Sequence, residues 1–284
     1  MSIVAHQVQT GLKPLPNVKN IIAIASGKGG VGKSTVTANV AGALHRSGAR
    51  VGILDADIYG PSQPQIMGAY EKPEVVDGKM KPVMRHGIST ISIGYLVDVN
   101  TPMIWRGPMV SQALQQLLNE TAWDHLDYLF IDLPPGTGDI QLTLCQKVPL
   151  SGAVIVTTPQ DLSLIDARRA IGMFKKVKVP VLGVIENMSI YHCPACGHRE
   201  AIFGEGAAEY IAEHDDVPVL GKLPLDLRIR EDSDNGCPTV LRADREDLSA
   251  AYMACALKVA ERLAQCKKDF AGRFPKIVVE SISK

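Results

Sequence analysis

The residues that most restrict how this chain can fold are Gly27-Lys28-Gly29-Gly30-Val31-Gly32-Lys33-Ser34-Thr35, which contain the pattern G-x-x-x-x-G-K-[ST]. The pattern carries weight only between a strand and a helix, and both flanks are present. Ile21 to Ala25 is a short apolar run that reads as a buried strand. From about Lys33 to Ser47 the apolar residues Val36, Val40, Ala43 and Leu44 recur at helical spacing. The glycines free the backbone to turn N–H groups inward around phosphate oxygens, and the helix start adds a favourable dipole. Lys33 is placed for β- and γ-phosphates, and Ser34 for Mg²⁺. Gly27 through Thr35 therefore form the candidate cofactor site, for ATP with Mg²⁺.

The rest of the chain repeats the strand–helix alternation. Arg50–Leu54, Leu129–Ile131, Val154–Thr157, Val181–Ile185 and Val217–Leu220 read as strands, and Pro108 to about Thr121 and Leu162–Lys175 as helices. A last helix is expected from about Arg245 to Phe270, with Leu248, Tyr252, Cys255, Val259, Leu263 and Phe270 on one face. Residues 60–100, rich in Pro and Gly with alternating runs such as Ile88–Ile93, read as loops with short β segments. Apolar strands alternating with helices imply an α/β fold of the P-loop NTPase class: a mostly parallel sheet with helices on both faces. Ligands bind such sheets beyond the strands' carboxyl ends, where the motifs fall. The organisation expected is a flexible arm over 1–19, one P-loop ATPase domain over 20–270 and a tail over 271–284.

Carboxylates follow two of the strands. Asp55-Ala56-Asp57 places two acids at i and i+2 of an extended chain, on one side of it. One can steady a metal shell while the other orients attacking water. The stretch Asp132-Leu133-Pro134-Pro135-Gly136-Thr137-Gly138-Asp139 begins with an aspartate after an apolar strand, the arrangement that holds Mg²⁺ through water. Its Pro–Gly turn is suited to sense the γ-phosphate, and Asp139 is a candidate cap for the next helix. No N-K-x-D guanine signature follows the late strand; instead Glu186-Asn187-Met188-Ser189 offers the carboxamide of Asn187 to adenine.

Lysine plus arginine and aspartate plus glutamate both total 30, so the net charge gives no sign of a nucleic-acid partner. No apolar run approaches the roughly 20 residues of a membrane span, and the first residues lack the pattern of a secretory signal. Six cysteines in a chain of 284 residues that is 46% hydrophobic do not read as a disulfide framework, so a reducing cytoplasm is expected.

Two of those cysteines stand apart. Cys193-Pro194-Ala195-Cys196-Gly197 brings two thiolates within reach of one metal at a tight turn. A closed site needs four ligands, and no second C-x-x-C is present. Three completions are open: two chains sharing a centre on a two-fold axis, an intrachain zinc site using His192 or His198, or a redox pair.

Taken together, the segments at 27–35, 55–62, 105–109 (Trp-Arg-Gly-Pro-Met), 132–139, 186–189 and 193–197 resemble the Mrp/ApbC family of ATP-binding iron–sulfur cluster carriers, over about residues 18–265. These are deviant Walker A ATPases. The resemblance implies that Lys28 reaches the nucleotide of a partner chain, that Asp57 positions or activates water, and that Asp55 and Asp132 support Mg²⁺ with Ser34. It further implies a homodimer bridging a labile [4Fe–4S] cluster through Cys193 and Cys196. Slow ATP hydrolysis would be coupled to delivery to apo iron–sulfur proteins, with cluster assembly proteins as partners and neither membrane nor nucleic acid. Rival readings are a positioning ATPase of the MinD/ParA kind, a small-molecule P-loop phosphotransferase and a zinc-stabilised binding module.

Overall fold

The computed structural model describes residues 3–96 and 107–269. Trp105, Phe270 and the tail 271–284 lie outside the described residues. In chain order the elements are β1 (Val18–Ala25), α1 (Lys33–Arg46), β2 (Val51–Asp55), α2 (Gln63–Met67), β3 (Val75–Val76), β4 (Lys79–Met80), β5 (Val83–Arg85), β6 (Ile88–Ser92), α3 (Gly107–Asn119), β7 (Leu126–Asp132) and α4 (Asp139–Lys147). There follow β8 (Gly152–Thr157), α5 (Asp161–Lys176), β9 (Val181–Glu186), β10 (Tyr191–His192), β11 (Arg199–Glu200), α6 (Ala207–Asp215), β12 (Val219–Lys222), α7 (Leu227–Asp234) and α8 (Glu246–Ala264).

The main sheet has the order β12-β9-β8-β1-β7-β2-β6-β5. Every neighbouring pair is parallel except β5 with β6 at one edge. Its central strands are runs of Val, Ile and Leu buried along their whole length, because helices cover both faces. On one side α1 packs on α8, whose Leu248, Tyr252, Cys255, Val259 and Leu263 are buried as their spacing predicts. On the other, α5 and α6 pack together against β8 and β9. The register sets Asp132 between Ile24 and Asp55, and Asp55 beside Ser92. Four adjacent strands thus end in one row, and that row is the floor of the site.

The structure goes beyond the sequence reading in three places. The short β segment expected at Ile88–Ile93 is Ile88–Ser92, a parallel strand, β6, buried along its whole length. Its polar residues look solvent-facing in sequence, yet each has a partner: Thr90 Oγ1 donates to Val83 O at 2.9 Å and Ser92 Oγ to Asp55 at 3.1 Å. Helices α6 and α7, rich in Asp, Glu and Arg, were not legible by apolar period. The arm over 1–19 is docked through residues 3–19. His6 is buried, its N–H donating to Asn20 Oδ1 at 3.1 Å, and Gln9 Nε2 donates to Cys145 O at 2.8 Å. The Asp269 N–H donates to Ala5 O at 3.0 Å, which ties the arm to the chain just beyond α8. Hydrogen bonds scattered along the arm do much of this work, beside Ile3 and Leu15 packed on the core, so no hydrophobic period announces it.

Candidate functional site

The glycine-rich loop leaves β1 at the sheet's carboxyl edge and enters α1 at Lys33. Gly30 and Gly32 both take φ of 80°, a left-handed conformation that side chains other than glycine resist. Gly27 needs its missing side chain for a different reason: a Cβ there would lie 2.1 Å from the backbone oxygen of Asp166 on α5. The loop curls around a cavity of about 270 Å³ lined by Gly29, Val31, Lys33, Ser34, Asp57 and Pro135 among others. Its size and backbone donors suit a di- or triphosphate.

Beneath the cavity lies a charge network. Lys33 is 6% exposed, and its Nζ donates to Asp132 Oδ1 at 2.5 Å and stands 4.0 Å from Asp57. Thr37 Oγ1 lies 3.3 Å from the same Asp132 oxygen, and Gln63 Nε2 donates to Asp132 Oδ2 at 2.9 Å. Asp55 accepts from the N–H groups of Asp57 and Gln63 and from Ser92 Oγ. Burial, and next the neighbouring Asp132 carboxylate, push Asp55 up to about 7. Burial also raises Asp57, with Lys33 opposing. Lys28 is half-buried, and no carboxylate among the described residues pairs with it. Asp139 is the first residue of α4 rather than its cap; Gly138 occupies the cap position without a side-chain bond.

A second cavity of about 490 Å³ adjoins the loop. Gly32 and Thr35 form one wall, Asn187 and Met188 another, and Pro224, Leu225 and Asp226 a third. Asn187 reaches this cavity, but its Nδ2 donates to Val31 O at 2.9 Å, so the carboxamide braces the phosphate loop. The 224–226 wall escaped sequence reasoning because no motif marks it. Gln63 escaped likewise: it follows Asp55-Ala56-Asp57-Ile58-Tyr59-Gly60-Pro61-Ser62 with no signal of its own.

From Asn187 the chain runs directly into the cysteine pair. Met188 turns it in the left-handed region at φ 55°, and β10 and β11 then form a hairpin with Cys193–His198 at its tip. The Cys193 N–H donates to His198 O and the Gly197 N–H to Cys193 O, both at 2.9 Å. The hairpin base is laced to the cavity wall: Ser189 N–H donates to Leu223 O and Leu225 N–H to Ile190 O, each at 2.9 Å. Cys196 is exposed and Cys193 half-buried. Among the described residues no set of three or more His, Cys, Asp or Glu side chains, His192 and His198 included, converges on a metal position.

The Cys193 thiol is lowered by the N–H of Cys196, next by that of Ala195, and then by the Cys196 side chain. Burial pushes Cys145 up to about 12 and Cys255 to about 11. Brief iodoacetamide treatment of the native protein near pH 7.5 is therefore expected to alkylate Cys193 well before either buried thiol, as read by peptide mass spectrometry. Comparable rates at Cys145 would contradict this order.

Comparison with known proteins fits this geometry. The family model described as ParA, NUBPL iron-transfer P-loop NTPase, matches residues 17–260. An iron–sulfur cluster carrier protein of Escherichia coli K12 is 55% identical over 267 residues, 91% of this chain and 72% of the relative. The iron–sulfur cluster transfer protein NUBPL of Mus musculus is 48% identical over 254 residues, 88% and 80% of the two chains. A nucleotide-binding protein of Archaeoglobus fulgidus solved in complex with ADP superposes with a TM-score of 0.70 at 42% identity, over 78% of this chain and 87% of that one. The MinD cell division ATPase of Pyrococcus furiosus shares the fold at 24% identity and a TM-score of 0.64, covering 85% of this chain and 98% of that one. With a docked glycine-rich loop, two strand-end carboxylates and a paired-cysteine hairpin in place, the chain belongs to the NUBPL iron-transfer P-loop NTPases.

Proposed function

We propose that two copies of this chain bind ATP with Mg²⁺ and carry a [4Fe–4S] cluster between Cys193 and Cys196 of each copy. The cluster passes to apo iron–sulfur proteins while ATP is hydrolysed slowly. The observation that carries this reading is the lacing of the cysteine hairpin onto the wall of the 490 Å³ cavity beside the phosphate loop. A nucleotide that moves residues 187–188 or 223–226 moves the base of the thiol hairpin with them. Two thiols per chain leave two cluster positions to be filled, and a two-fold axis supplies them.

The donor set beneath the loop fits Mg²⁺. Ser34, Asp55 and Asp132 offer only hard oxygens, and the carboxamide oxygen of Gln63, beside them, is buried without a hydrogen-bond partner. Bound there, Mg²⁺ neutralises phosphate charge. Lys33 is the group that phosphates take over, since its Nζ already stands at the cavity floor. Asp57 lines the phosphate cavity, and a carboxyl raised by burial is a better base. It accepts the proton of a water that attacks the γ-phosphorus as the bond to ADP breaks. Lys28, with no acidic partner among the described residues, is free to serve the nucleotide of the second copy.

Cytoplasmic residence agrees with six free thiols, and among the described residues no helix is long and apolar enough to cross a membrane. The test is anaerobic reconstitution with iron and sulfide. The expected product is a dimer with iron and sulfide in equal amounts, about two of each per chain. Mg-ATP should speed its transfer to an apo iron–sulfur protein. Zinc without iron, or a cluster held by monomers, would sink the proposal.

A further inference from the structure

Gln63 is wholly buried at the start of α2, among groups with assigned roles, and has none itself. Its N–H donates to Asp55 Oδ2 at 3.1 Å. Its side-chain Nε2 donates to Ser34 O at 3.0 Å and to Asp132 Oδ2 at 2.9 Å. Both of those neighbours are acceptors, so the carboxamide has only one sensible orientation, with nitrogen toward them. The oxygen Oε1 is thereby fixed away from them, buried and without a partner. An unmet buried acceptor is destabilising, and an apolar side chain of the same length would avoid that penalty.

We infer that Gln63 is a positioning residue for the metal: it holds Asp132 in place, and its free oxygen accepts a hydrogen bond from a water in the Mg²⁺ shell. This rests on the nucleotide–Mg²⁺ reading above. The missing partner must be a donor. Ser34 and Asp132, the two residues Gln63 grips, belong to the proposed metal set, so metal-bound water is the donor at hand. The grip on Asp132 has a second use. Lys33 and Gln63 hold different oxygens of that carboxylate. When phosphates draw Lys33 away, Gln63 still fixes the group.

The test is ADP affinity by titration calorimetry, in Mg²⁺ and in EDTA, for wild type and for Gln63→Met. The methionine variant preserves length and packing. Its affinity in EDTA should match wild type, while the gain on adding Mg²⁺ should fall about 10-fold, as for loss of other groups that orient metal ligands. Gln63→Glu should do the opposite: an added carboxylate beside Asp132 is relieved only when metal is present, so the Mg²⁺ gain should exceed that of wild type. A merely structural glutamine would lower melting temperature and leave the gain alone. An unchanged gain in either folded variant therefore overturns the inference. If wild type itself shows no Mg²⁺ gain, the nucleotide–metal reading fails, and this inference with it.

Discussion

Cys193→Ala is expected to abolish retention of iron and sulfide after anaerobic reconstitution, and to leave nucleotide affinity within about two-fold of wild type. The reason is stoichiometric. The described residues of one chain bring no third metal-ligating side chain to the pair, so each copy supplies two thiolates. A cluster on the two-fold axis that loses one thiolate per copy keeps only half its ligands. The hairpin itself should survive, because its closing bonds, Cys193 N–H to His198 O and Gly197 N–H to Cys193 O, use backbone atoms alone. The loss is thus chemical and not a failure to fold. Cys145→Ala, a change at a buried thiol on α4, is the matched control and should retain the cluster. Metal and sulfide analysis beside the absorption spectrum decides the matter. Full retention by the Cys193 variant would show that these thiols are not the ligands.

Sequence reasoning succeeded where a residue's place is set by its own strand or loop. The phosphate loop needed only an apolar run, glycines and a helical period, and the observed α1 begins at Lys33 as expected. Asp55 and Asp132 were legible as strand-end acids, although nothing in one dimension shows that they are register neighbours. Burial pushes Asp55 up most, and that adjacency, created by placing β7 between β1 and β2, adds to it. Strand β6 was legible as a short β run but its burial was not, because hydrogen bonds to Val83 and Asp55 allow Thr and Ser into a buried position. Gln63 and the 224–226 wall were missed for a related reason. Their significance lies wholly in what the fold sets beside them. Asn187 was read as a base contact; its brace on Val31 is visible only when β9 and the loop are brought together.

Lys33→Met is expected to abolish nucleotide binding and also to destabilise the ligand-free protein, by about 3–5 kcal/mol near pH 8. Lys33 is the buried cation that faces Asp132 and lies near Asp57, and its charge also lowers Asp55. Methionine fills the same space and removes the charge, leaving the acids uncompensated. The pH dependence follows from Asp55. Its carboxyl is raised to about 7 in the folded chain from an ordinary value of 3.8. Between those limits the folded state holds the extra proton, so stability falls as pH rises, and the loss is complete above the folded value. Without Lys33 that folded value moves higher still. The deficit of the variant should therefore be small near pH 5 and grow toward pH 8 and beyond, as read by urea unfolding of both proteins at each pH. A deficit independent of pH would mean that Lys33 contributes packing and not charge. Adding Asp132→Asn to Lys33→Met should recover much of the loss, giving a coupling energy on the order of 1–3 kcal/mol in the double-mutant cycle. The same balance bears on ligand order. A phosphate that takes Lys33 away re-creates the uncompensated pair unless a second cation arrives with it, so nucleotide and Mg²⁺ should enter this site together.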